Sequence, residues 1–109
     1  MTNPDARLQK LIRRLQSADD LKRIHAGLLL GRMGPEARAA VPTLLELLHE
    51  ESVPNRKLAA WTLGYIGHGA AEAIPALLVA LRDSDEGVRT MAREALEKIN
   101  SSGTPVRAA

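Results

Sequence analysis

Three histidines, His25, His49 and His68, are the residues whose chemistry could reach furthest, because an imidazole can ligate a metal or move a proton near neutral pH. The spacing Glu46-x-x-His49 puts a carboxylate and an imidazole on one helical face, as in carboxylate-rich di-iron bundles. Such a centre needs two of these motifs and further glutamates, and only one motif is present. His25 and His68 fall in other registers of the chain, so nothing in the spacing makes the three imidazoles converge. There is no cysteine, which excludes thiolate ligands, thiol nucleophiles and disulfides. No glycine-rich phosphate loop or nucleophile-base-acid spacing is found either. The sequence therefore predicts no catalytic residue, no metal site and no cofactor, and reads as non-enzymatic.

Charge supplies a second kind of chemistry. Arg23, Arg56 and Arg89 stand 33 residues apart, and Glu50 and Asp83 lie six residues before the second and third of them. This column reads as a structural ladder of arginines tying each loop to the next helix. Through Arg23 the chain carries Arg7, Lys10, Arg13, Arg14, Lys22 and Arg23 against three acids, while the formal net charge of the whole is only +2. A nucleic-acid interface through Arg7, Lys10, Arg13 and Arg14 is the alternative this excess raises; it ranks lower because no aromatic residue adjoins the cluster for base stacking.

The spacing of the arginines belongs to a repeat. At the same shift of 33, Ala26, Ala59 and Ala92 align, as do Leu30, Leu63 and Leu96, and Met33, Ile66 and Ile99. Pro42 meets Pro75, and Leu44, Leu45 and Leu48 meet Leu77, Leu78 and Leu81. Carried backwards, the shift sets Leu8, Leu11, Ile12 and Leu15 under Val41, Leu44, Leu45 and Leu48. A fixed period of this size is the mark of a solenoid. Apolar residues recur at three and four within each repeat, which predicts two amphipathic helices per unit. A helices are expected over 20–33, 54–66 and 86–100, and B helices over 4–16, 35–49 and 69–82, with a short turn leading into the second and third B helices because of Pro42 and Pro75.

The 109 residues have no Phe, one Trp and one Tyr, so the core must be aliphatic, which suits closely packed helices. The expectation is an all-α, right-handed short solenoid of about six helices in one domain over 1–101, with 102–109 a flexible tail. Gly34 and Gly67 are expected to close the A helices in the left-handed conformation, with Asn100 doing so in the third. Gly31 and Gly64 are expected to admit the following B helix at close range. The N-terminus shows no apolar leader and no window of about 18 residues lacks charge, so a cytoplasmic chain without a membrane span is expected.

The motifs Leu-Gly-x-Met-Gly at 30–34 and Leu-Gly-x-Ile-Gly at 63–67, each preceded by the Arg and Ala columns and followed by Val-Pro-x-Leu-Leu or Ile-Pro-x-Leu-Leu, resemble HEAT repeats over residues 20–100. The likeness is to the bacterial branch similar to phycobilisome-lyase repeats. It implies a scaffold that binds proteins. It also raises an accessory role beside a lyase-like enzyme, and HEAT-like DNA glycosylases are what the resemblance offers to the nucleic-acid reading. An iron-binding HEAT-like hydroxylase uses His-Glu pairs in its A helices; here the one such pair, His49-Glu50, ends a B helix.

Apolar residues sent outward are the remaining candidates. In the third A helix the outward positions are Thr90, Arg93, Glu94 and Glu97; the same register gives Lys57, Ala60, Trp61 and Gly64 beside Tyr65 in the second, and Ile24, Gly27, Leu28 and Gly31 in the first. Ile24, Leu28, Trp61 and Tyr65 thus form an expected convex stripe for a protein partner or a second copy. The expected concave face reads Lys10 and Arg13, then Thr43 and Glu46, then Ala76 and Val79, grading from basic to acidic to apolar. A homodimer is expected through the stripe or through the last A helix, whose Val88, Met91, Leu96 and Ile99 would lie uncapped on one flank.

Overall fold

The computed structural model describes residues 4–101. Among the described residues there are six α-helices, α1 (Pro4–Arg14), α2 (Asp20–Met33), α3 (Val41–Leu48), α4 (Val53–Ile66), α5 (Ile74–Ala80) and α6 (Glu86–Ser101), and no strand. The expected tail at 102–109 lies outside them. Helices α2, α4 and α6 form one layer, A. Helices α1, α3 and α5 form the other, B, and the stack measures 47 × 32 × 17 Å.

Each A helix starts in the same way, 33 residues after the last. Asp19 accepts hydrogen bonds from the backbone N–H of Leu21 and Lys22, Ser52 Oγ from that of Asn55, and Asp85 from that of Val88. Each satisfies a donor that a helix leaves open at its first turn. The B helices start with proline: Pro42 and Pro75 lie in the first turns of α3 and α5, where a missing N–H costs nothing. Before each runs a 3-10 segment, Gly34–Ala40 or Gly67–Ala73, with a kink at Ala37 or Ala70. The expected lead-in turn is this segment.

Gly34 and Gly67 carry positive φ, 65° and 74°, but their ψ values of −142° and −139° lie far from the left-handed helical region expected of them. They occupy a region essentially reserved for glycine. Asn100 takes no such role, because α6 continues through it to Ser101.

The core is aliphatic: Leu15, Leu30, Val41, Leu44, Leu63, Ile66, Leu77 and Val88 are fully enclosed between the layers. Contrary to the expectation that they admit the following B helix, Gly31 and Gly64 face the next helix of their own layer. A Cβ at Gly31 would lie 3.0 Å from Trp61 Cζ3, and one at Gly64 would lie 2.8 Å from Ala95 Cα. Gly27 and Ala60, one turn earlier, are buried in the same seams. Four of the residues read as outward, Gly27, Gly31, Ala60 and Gly64, are therefore docking surface. Small residues let helix axes approach until neighbouring ridges interlock.

The segment Val53–Ala80 is apolar enough to pass for a membrane span by length and composition. It is not one helix, since positive φ at Gly67 divides it, and both halves pack against other helices.

Candidate interaction faces

The arginine column fastens the loops. Each guanidinium donates to the carbonyl six residues before it: Arg23 to Ser17 at 2.7 Å, Arg56 to Glu50 at 2.9 Å, Arg89 to Asp83 at 2.7 Å. Arg56 also reaches into the next repeat and grips the Asp83 carboxylate with Nε at 2.9 Å and Nη2 at 3.0 Å, both side chains only 14% exposed. That bidentate bond, followed by donation from the backbone N–H of Asp85, holds the Asp83 carboxyl below the usual carboxylate range; burial opposes the shift without cancelling it. The same pairing raises the pKa of Arg56.

Arg23 has no aspartate in the equivalent place. Its Nε donates to Asn55 Oδ1 at 3.0 Å, and Asn55 Nδ2 donates to Glu50 at 2.7 Å, so an amide relays what Asp83 does directly. Arg23 also pairs with Asp20 of its own helix. Asn55 belongs to no repeat column, and the sequence reading missed it. The capping column Asp19, Ser52 and Asp85 was missed too, although its 33-residue spacing was open to view.

His49 Nδ1 lies 2.8 Å from the carbonyl of Leu45, and His25 and His68 are exposed. No group of three or more metal-ligating side chains exists among the described residues.

On the A layer, Trp61 and Tyr65 of α4 stack at 4.4 Å between ring centroids. Such tilted pairs gain over simple burial. Trp61 stands between two hollows. One, of about 360 Å³, is lined by Leu28, Arg32, Trp61 and Tyr65; the other, of about 90 Å³, runs to Met91, Glu94, Ala95 and Lys98 of α6. Lys98 Nζ sits 4.9 Å from the Tyr65 ring centre. Ile24, Leu28 and Tyr65 are exposed by 44%, 41% and 47% and Trp61 is half-buried; Leu28, Trp61 and Tyr65 line one hollow, and Ile24 is not among its lining residues. Arg32 at its edge is exposed and makes no ion pair among the described residues.

On the B layer, Lys10, Arg13, Glu46 and Val79 are exposed, and Thr43 and Ala76 are half-buried. Here the sheet of helices opens. Neighbouring B units meet through their 3-10 segments, while α3 and α5 lean instead on α4 and α6. A cavity of about 290 Å³ lined by Thr43, Glu46 and Asn55 and one of about 730 Å³ lined by His49, Ala76, Val79 and Arg82 result. At the far end the apolar residues of α6 are not the uncapped ones: Val88 and Ile99 are buried and Met91 and Leu96 half-buried. The exposed apolar surface there lies on α5, at Leu78 and Val79, and at Leu81 just past its end. Leu78 and Leu81 repeat Leu45 and Leu48 in sequence but not in burial, a difference that periodicity alone could not reveal.

The sequence profile of the HEAT repeats matches residues 8–97, nearly the whole described chain. Comparison with curated proteins returned no significant match.

Proposed function

Because the chain belongs to the HEAT-repeat family, we propose that it is a non-enzymatic protein-interaction module whose A-layer face receives a partner segment. One observation carries this reading: the only Trp and the only Tyr of the sequence stack on each other at the surface, in a hollow shared with exposed Leu28. Aromatic anchors in a partly open apolar hollow are what energetically dominant interface residues look like. Arg32 on the rim defines the complementary chemistry, an amphipathic helix or turn with an apolar side chain for the hollow and a carboxylate for the guanidinium.

The basic face of α1, with Arg7, Lys10 and Arg13 exposed, stands in the opposite layer from both aromatics. A nucleic acid lying on it would find no stacking platform, which favours the protein reading. A lyase-accessory role rests on resemblance alone.

The test is selection of amphipathic peptides from a displayed library against the parent chain, with Trp61→Glu as counter-target. Enrichment of acidic, apolar peptides that ignore Trp61→Glu but bind the parent is expected. Peptides that bind both chains alike, or no enrichment at all, would remove the proposal.

A further inference from the structure

The outer stripe formed by α5 and the turns on either side of it is self-complementary in charge. Glu72 lies in the 3-10 segment before α5, Pro75, Leu78 and Val79 lie on α5, and Arg82 lies in the turn after it; 72, 75, 79 and 82 are spaced by three and four, and all five residues are exposed. Leu78 and Val79 are 53% and 70% exposed, the latter among the most exposed large apolar residues described. An acid closes one end of this apolar stripe and a base closes the other, ten residues on. The preceding B helix does not repeat the pattern: 33 residues earlier stand Ala39, Pro42, Leu45, Glu46 and His49, with alanine in the acid's place and glutamate in that of Val79.

We propose that α5, with the turns that flank it, pairs antiparallel with the same segment of a second copy about a two-fold axis that crosses its outer face at the level of Leu77, which itself stays buried beneath. Reflection through that point sets Glu72 against Arg82 of the other copy, and the reverse, with Pro75 facing Val79 between them. A two-fold interface must be the same patch on both subunits, and an apolar stripe with opposite charges at its two ends meets that condition. A stripe with like charges at both ends would not. The apolar centre supplies the driving force by burial, and the charge pairs fix the antiparallel direction. The adjoining cavity of about 730 Å³ between α3 and α5, lined in part by Leu78 and Val79, leaves room for side chains of the second copy.

This pairing is independent of the A-layer proposal, which leaves Trp61 and Leu28 free in the dimer. The experiment is sedimentation equilibrium over a concentration series for the parent, Arg82→Glu, the double exchange Glu72→Arg with Arg82→Glu, and Trp61→Glu, with circular dichroism to confirm that each is folded. The parent should approach twice the 11.8 kDa chain mass. Arg82→Glu should associate at least about tenfold more weakly, since two like-charge contacts replace two attractive ones. The double exchange should restore dimerisation, and Trp61→Glu should leave it intact. A parent that stays monomeric, an Arg82→Glu chain that dimerises as well as the parent, or a double exchange that fails to recover would each overturn the inference.

Discussion

Gly64 and Ala95 are in such close contact that a methyl group on Gly64 would come within 2.8 Å of the Ala95 backbone. That distance sets the spacing of α4 and α6, and its equivalent between Gly31 and Trp61 sets that of α2 and α4. The aromatic face exists because of it: with α2 and α4 this near, Leu28 and Arg32 reach the same hollow as Trp61 and Tyr65.

Alanine at the two glycines should therefore act differently. Either change gains about 1 kcal/mol of helix propensity. At Gly64 the new methyl meets backbone, which cannot turn aside, so about 1–3 kcal/mol of overpacking outweighs the gain and Gly64→Ala should lower the urea midpoint. At Gly31 the neighbours are the edge of a half-buried indole at 3.0 Å, which can shift, and Tyr65 Cβ at 3.1 Å, which is fixed to α4 but must yield only a few tenths of an ångström. Gly31→Ala should therefore cost less stability than Gly64→Ala while changing Trp61 emission. Equal destabilisation by both substitutions would contradict this account of the seams.

Gly34 tests the backbone without packing. Nothing lies within 4 Å of where its Cβ would be, yet φ is 65° with ψ at −142°. Gly34→Ala should cost about 1–3 kcal/mol by conformational strain alone. Chemical denaturation would measure it, and a neutral result would mean that the chain can leave the helix by another path.

The Arg56–Asp83 bond makes stability depend on pH in a definite direction. A carboxyl held below its ordinary value stabilises the fold above the unfolded pKa, about 3.9, and the contribution fades as pH falls through that value toward the folded one. Asp83→Asn should accordingly be less stable than the parent at pH 7. The gap should close as the medium is taken toward pH 3, and urea melts at the two pH values would show it. A gap unchanged between them would mean that Asp83 acts through shape and not through charge.

Arg32→Glu should leave the fold unaltered, because Arg32 is exposed and makes no ion pair among the described residues. It should reverse the charge preference of peptides selected on the A-layer face from acidic to basic. Retention of acidic peptides by Arg32→Glu would place their binding elsewhere.

Much of the architecture was legible because a 33-residue period repeats the whole local code. The Arg and Leu columns located the A helices to within a residue, and Pro42 and Pro75 located the lead-in segments. Periodicity says which side of a helix is buried but not which neighbour buries it. For that reason Gly27, Gly31, Ala60 and Gly64 read as outward or as facing the B layer, when they form the seams within the A layer. The Asn55 relay escaped for a different reason: it is one repeat's substitute for an aspartate, so no column contains it. The exposure of Leu78 and Leu81 depends on what lies beside α5, a fact about neighbours that copies of Leu45 and Leu48 cannot carry.

Trp61 is the only tryptophan in the sequence, so its fluorescence reports on the A-layer face alone. The most direct measurement is a titration of the parent with a peptide enriched in the selection, read by Trp61 emission and repeated with Tyr65→Ala. Saturable binding that shifts the emission to shorter wavelength, weakened at least about tenfold by Tyr65→Ala, is the expected result. Binding that leaves Trp61 emission unchanged would show that the partner docks on another face.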